Sequence, residues 1–371
     1  MKPTTQQSRS RQCLNHLKSR PRLKISLLIA AIIPLSLNVS QGYLHPQSVD
    51  DNHTLTVVAV QNPTTVFQND GFTHGFGYDL ARSYAKSMDL KLNLVTVNDN
   101  NTALKWVKKG KAQFALTTAP INQIEHAQLV AVEGSCGAQS TLQKYGLNSN
   151  ISWVFKSAED PLAVTATGHL CQSKQTGEMQ RLASFYDQNY VNQQDLNTVT
   201  RNLQQRLPIY KTSFKKSAQQ LNLDWQFLAA IGYQESYLRP ESVSPTGVRG
   251  VMMLTQNTAK AMGVQDRTNP AQSIQGGAKY FNLMLQEYQD IPYPDRNWYA
   301  LVAYNMGPGA VNQIRTRLQK QGKDPDQWIN LYQYLENNQR ANARHQQAIQ
   351  YVKRIRIYLE HIKTTEQLAQ I

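Results

Sequence analysis

Two apolar patterns trade places along the first half of the chain. LTVVAV (55–60), LKLNLVTV (90–97) and AQFALTT (112–118) are apolar and rich in β-branched residues, and they read as strands. YDLARSYAKSM (78–88) and TALKWVKK (102–109) space their apolar residues by three and four and read as helices. The order strand, helix, strand, helix, strand predicts a parallel sheet covered by helices. Residues 119–153 carry no clear period; SWVFKS, DPLAVTATGHL and a polar helical run to about Tyr186 then offer a return to the same sheet. From about Asp195 the pattern becomes helix after helix with no convincing strand, over 203–218, 224–238, 256–262, 270–289, 298–305 and 341–362. The fold class is therefore α/β plus all-α, with domains at 52–194 and 195–371. A chain of 371 residues is long enough for two cores.

The N-terminus reads as an address. Seven basic residues (Lys2, Arg9, Arg11, Lys18, Arg20, Arg22, Lys24) precede ISLLIAAIIPLSL (25–37), and the small residues Ser40 and Gly42 follow. A positive region, a short apolar core and a small-residue exit predict a secretory signal over 1–42. Thirteen residues make only about 20 Å of helix, short of a bilayer crossing. The alternative is a retained signal anchor. No Cys follows the apolar core, which speaks against a lipid-modified terminus. Export leaves Cys136 and Cys171 as the remaining cysteines, and an oxidising compartment favours joining them across about 35 residues, against the alternative of two buried thiols.

The net charge of +14 overstates the basic character, since loss of the signal halves it to about +7. Such an excess suits anionic polymers such as peptidoglycan or lipid headgroups as well as nucleic acid, so charge alone selects no partner. The chain has no zinc-finger spacing, no GxxxxGK[ST] and no GxGxxG. No nucleic-acid partner, metal or cofactor is expected.

Phe76-Gly77-Tyr78-Asp79-Leu80, with Ala81 and Ala85 behind it, resembles the strand-to-helix segment of type 2 periplasmic solute-binding proteins over roughly residues 52–120. That resemblance implies two lobes closing over an amino acid. Here only about 30 residues separate the first lobe from its return at Trp153, so the second lobe reads as deleted. An Arg that grips the ligand carboxylate commonly follows Thr-Thr in that family. This chain reads Thr117-Thr118-Ala119-Pro120-Ile121-Asn122 there, which points to a regulatory or docking lobe.

The helical half carries the chemistry. Asp224 is positioned to cap a helix that places Trp225, Leu228, Ile231, Glu235 and Leu238 on one apolar stripe. A carboxyl in such surroundings is costly to ionise, so Glu235 should stay protonated near neutral pH, as a general acid toward a sugar oxygen must. The bland alternative is a solvated Glu235 paired with Arg239.

Glu235-Ser236, Ser244-Pro245-Thr246-Gly247, Gly250-Val251-Met252-Met253-Leu254 and, about 70 residues after the Glu, Ala303-Tyr304-Asn305-Met306-Gly307-Pro308-Gly309 resemble the soluble lytic transglycosylase family with its goose-type lysozyme-like domain, over about 200–365. Met252-Met253-Leu254-Thr255, where most of that family has Gln in place of Met253, is similar to the membrane-bound lytic murein transglycosylase F group. That group also joins a solute-binding-like domain to the N-terminal side of the lytic one.

The resemblance implies Glu235 as the single acid and base, Ser244 as a hydroxyl near the bound N-acetylmuramic residue, and Met252 and Met253 as walls of the sugar cleft. It places Tyr304 near the reacting centre and Asn305 on the local turn or the sugar. Met252 and Tyr304 also fit ordinary core positions, and Ser244 fits a turn before Pro245. Tyr351 matches a further family tyrosine only loosely. The implied reaction cleaves peptidoglycan between N-acetylmuramic acid and N-acetylglucosamine without water and leaves a 1,6-anhydro end. A lysozyme-like hydrolase and an inactive binding module are the rivals. The resemblance also implies a protein peripheral on the inner face of a Gram-negative outer membrane, and a monomer is expected.

Overall fold

The computed structural model describes residues 53–69 and 72–368, so the signal expected over 1–42 lies outside the described residues. Its first half holds strands β1 (Thr54–Val60), β2 (Phe67–Asn69), β3 (Phe72–His74), β4 (Lys91–Val97), β5 (Phe114–Thr117), β6 (Val130–Glu133) and β7 (Ser152–Phe155). Between and after them lie helices α1 (Phe76–Ser87), α2 (Asn100–Lys108), α3 (Ile121–His126), α4 (Gln139–Lys144), α5 (Pro161–Gln175) and α6 (Glu178–Phe185).

The five-stranded sheet runs β4-β1-β5-β7-β6. β1 pairs in parallel with β4 and β5, as expected, but β7 runs antiparallel to both β5 and β6. The parallel sheet of the sequence reading is therefore corrected to a mixed one. Strand β6 follows β5 through a helical crossover and leaves a gap of one strand, which β7 fills from the opposite end. Periodicity reports that a strand exists, not which way it runs. Strands β2 and β3 form a separate short hairpin that no sequence signal announced.

The helical half comprises α7 (Gln193–Leu221), α8 (Trp225–Ser236), α9 (Gln256–Ala261), α10 (Pro270–Glu287), α11 (Asp295–Met306), α12 (Pro308–Lys320), α13 (Trp328–Asn338) and α14 (Ala343–Leu368). Local chemistry sets several starts. The side chains of Asn192, Asp224 and Asn269 accept backbone N–H groups at the first turns of α7, α8 and α10, satisfying donors that have no partner within the helix. Helices α12 and α13 were not expected; α12 is polar outside a narrow buried stripe of Val311, Ile314 and Leu318.

The hydrophobic interior does not divide at residue 195. One cluster runs from Leu55 on β1 through Phe72, Phe227 and Trp298 to Ile362 on α14. A second, smaller one holds Val58, Val60, Leu104, Val107, Ile124 and Val154. Successive residues of a strand face opposite sides, so Leu55, Val57 and Ala59 enter the first cluster and Val58 and Val60 the second. Two cores exist as expected, but they are separated by the sheet rather than by the domain boundary.

Polar contacts reinforce the shared interior. Arg82 on α1 bonds Asp79 on its own helix at 3.1 Å and also Asp295, the first residue of α11. The Tyr186 hydroxyl donates to Asp79 at 2.7 Å, and the Trp328 N–H donates to Asp295 at 2.9 Å. Arg356 on α14 bonds Glu360 at 2.8 Å and the carbonyl of Asp187 at 3.1 Å. Cys136 and Cys171 form a disulfide with their Cα atoms 5.2 Å apart, tying the turn after β6 to α5.

Candidate active site

Helix α8 ends at Ser236, because Tyr237 and Leu238 both take left-handed backbone conformations (φ 54° and 57°). The break leaves Glu235 in the last turn. The Ser236 hydroxyl donates to the Val251 carbonyl at 2.8 Å and accepts the Arg239 N–H at 3.2 Å, so the helix end is tied to the loop that follows.

That loop, 242–254, is held by backbone pairs between Val243 and Arg249 and between Arg249 and Leu254. Gly250 is obligatory in it. Its φ is +87°, and a Cβ there would stand 1.9 Å from the Arg267 carbonyl oxygen. The Ser244 hydroxyl accepts the Val248 N–H at 3.0 Å and lies 3.0 Å from Thr246 Oγ1. Its observed contacts are therefore those of a turn former.

Met252 is fully buried, and the sugar-wall role expected of it is corrected. A Cβ at Gly277 on α10 would come 2.5 Å from the Met252 Cβ, and one at Gly232 on α8 would come 3.2 Å from its sulfur. The side chain thus fills the space where these two helices approach through glycine. Its main chain serves the site instead: the N–H donates to Ser273 Oγ at 3.1 Å, and the carbonyl accepts the Tyr304 hydroxyl at 3.0 Å. Met253 is half-buried with φ 46°. Asn305 is exposed.

Around Glu235 the structure gathers tyrosines. The Tyr351 hydroxyl, from α14, donates to Glu235 Oε1 at 2.6 Å. The Tyr351 and Tyr304 rings lie nearly parallel with centroids 6.4 Å apart, and Tyr280 packs on Tyr304 at 5.1 Å. Burial pushes the Glu235 carboxyl up to about 7, with the Tyr351 hydrogen bond opposing it in part. No cation pairs with Glu235 among the described residues, so the Arg239 pairing is not formed. Burial first, and then the neighbouring Glu235 charge, hold both the Tyr304 and Tyr351 hydroxyls well above the ordinary tyrosine range, so they remain protonated donors.

Of the residues singled out in the sequence, the structure brings Glu235, Tyr304 and the Met252 carbonyl together. It gives Ser244 and Asn305 no contact with the carboxyl. Sequence reasoning set Tyr351 aside and missed Tyr280 and Ser273. Tyr351 lies 116 residues from Glu235, and the regular apolar spacing of α14 hides it among core positions. No group of three or more His, Cys, Asp or Glu fit to hold a metal occurs among the described residues.

Comparison with known proteins bears on this half most directly. The transglycosylase SLT domain family matches residues 212–327. A membrane-bound lytic murein transglycosylase F of Alcanivorax borkumensis is 33% identical over 347 residues, 88% of this chain and 71% of that protein. The protein of the same name from Marinobacter nauticus is 39% identical over 236 residues, 59% of this chain and 46% of that protein. The chain thus spans about half the length of several curated relatives it matches. Among solved structures, an inactive mutant of the lytic transglycosylase Slt from Pseudomonas aeruginosa is 18% identical with a TM-score of 0.36, covering 68% of this chain and 38% of that one.

Proposed function

The chain belongs to the membrane-bound lytic murein transglycosylase F family, and from that premise we propose that it cleaves the glycan strands of peptidoglycan without water, with Glu235 as both acid and base. One observation carries the reading: a carboxyl at the end of α8, raised to about 7 by burial, that faces a phenol and no cation.

Protonated Glu235 donates to the oxygen linking N-acetylmuramic acid to N-acetylglucosamine, and the bond to C1 of the muramic residue breaks. The 2-acetamido group of that residue stabilises the cationic centre. Ionised Glu235, steadied by the Tyr351 hydroxyl, then takes the proton of the C6 hydroxyl as O6 closes on C1. The enzyme returns to its starting protonation state with a 1,6-anhydro product. Inverting and retaining hydrolases use a second carboxylate to activate water or attack carbon. Among the described residues no second carboxylate contributes to the environment of Glu235, and the next acids along the chain, Glu241 and Asp266, are exposed. This favours the lyase over the hydrolase.

Ser244, Met253 and Asn305 are assigned to the sugar-binding surface, and Tyr304 to bracing the reacting centre through the Met252 carbonyl. Residues 52–194 are read as a reduced solute-binding-like lobe. At its equivalent of the ligand-gripping end, Asn62 Nδ2 donates to Thr118 Oγ1 at 3.3 Å, and Asn62 Oδ1 accepts the N–H groups of Thr64 and Thr65. Export to the periplasm and peripheral attachment to the outer membrane complete the proposal. They accord with the relatives' printed name and with the lack, among the described residues, of any helix long and apolar enough to cross a bilayer.

The test is mass spectrometry of muropeptides released from murein sacculi by the parent and by Glu235→Gln. Anhydro-muramic ends from the parent and a loss of about 10²-fold or more in the variant are expected. Reducing muramic ends, or a variant as active as the parent, would overturn the assignment.

A further inference from the structure

One short strand of the α/β half reaches three of the helices that build the site. Phe72 on β3 packs edge-on against Phe227 of α8 at 5.6 Å and against Trp298 of α11 at 5.8 Å. His74, two residues on and on the same strand face, packs edge-on against Trp298 at 5.6 Å, and its Nε2 stands 3.7 Å from Glu360 of α14. Those helices carry Glu235, Tyr304 and Tyr351 respectively. Both Phe72 and His74 are buried. The geometry points to the β2–β3 hairpin as a fixed clamp that sets the mutual position of the three helices, with Phe72 and His74 as positioning residues for Glu235.

The physical reason lies in how Glu235 is kept protonated. Glu235 is half-buried, and its raised affinity for the proton comes from that burial with the Tyr351 hydrogen bond as counterweight, so it depends on how closely α8, α11 and α14 approach to limit water. Packed interiors transmit small displacements rather than absorbing them. A three-residue strand touching all three helices from the far side is placed to hold that distance.

This inference rests on the assignment of Glu235 as the acid, and its test is built to fail separately. Phe72→Leu is compared, in the full chain, with Ile124→Val, which thins the smaller cluster on the other face of the five-stranded sheet, a cluster with no residue from the three helices. Where Phe72→Leu fails to fold, Phe72→Met offers an unbranched side chain that adapts to the gap left by the ring. The Glu235 carboxyl is titrated in the free protein by carbon-13 NMR, and the pH profile of murein cleavage is recorded beside it.

The expected result for the Phe72 variant is a Glu235 titration about one pH unit lower, a matching downward move of the limb where activity is lost as pH rises, and a kcat about tenfold lower with KM held. Ile124→Val should lower the melting temperature and leave both the titration and the profile in place. Equal effects from the two variants, or an unmoved Glu235 titration in the Phe72 variant, would overturn the clamp while leaving the role of Glu235 to its own test with Glu235→Gln.

Discussion

Asp79 at the seam between the two halves and Glu235 at the end of α8 are both carboxyls that burial pushes upward, to about 6 and about 7. They differ in their company. Asp79 has the Arg82 guanidinium at 3.1 Å and the Tyr186 hydroxyl at 2.7 Å, and Arg82 passes on to Asp295. Among the described residues, Glu235 has Tyr351 alone. A buried carboxylate met by a guanidinium becomes part of a structural joint, whereas one met only by a phenol remains able to give up and recover a proton near neutral pH.

The largest effect should come from breaking the joint. Arg82→Met leaves Asp79 and Asp295 buried without their shared cation and is expected to destabilise the fold by about 3 kcal/mol or more, read from urea melts at pH 7.5 or so. A loss within a few tenths of a kcal/mol would mean that the seam is better hydrated than its burial implies.

The second effect lies in the cleft and has the opposite sign. Glu235 is harder to ionise in the folded state than in the unfolded chain, so its ionisation opposes folding. The cost is absent below about pH 4, grows as pH rises through the ordinary glutamate value, and is complete above about 7. Glu235→Gln should therefore stabilise the protein by about 3 kcal/mol at pH 8 and hardly at all at pH 4, while destroying activity. Melting curves at the two pH values would show it. A gain that does not depend on pH would contradict the origin assigned to the shift.

The smallest effect sharpens the role of the phenol. Tyr351→Phe removes the one donor that favours the ionised carboxylate, so the Glu235 titration should rise by about one unit. The high-pH limb of the activity profile would follow it upward. A downward move would show that Tyr351 acts chiefly by excluding water.

Much of the site was legible because its chemistry is local in sequence. Glu235 sits on an apolar helical stripe, and Ser236 beside it ties α8 to the loop. Gly250 is needed where φ is +87° and a carbonyl presses in, and Tyr304 precedes the Gly307-Pro308 break that ends α11. Met252 shows the limit of such reading. Its place in the motif suggested a cleft wall, but the approach of α8 and α10 at Gly232 and Gly277 draws the side chain into the core. The β2–β3 hairpin was invisible for a related reason, being three residues per strand and too short for a period to register.

Periodicity and capping residues were enough by themselves to determine that β1, β4 and β5 are strands, where α8 and α10 begin, and that a glutamate would stand on an apolar face. Only the tertiary structure decided that β7 runs against its neighbours, that one interior serves both halves, and that Tyr351, 116 residues away, is the partner of Glu235. The reason is the range of the forces involved. Backbone conformation and helix faces are set within a few residues, while strand direction and the dryness of a carboxyl depend on which distant surfaces arrive to cover them.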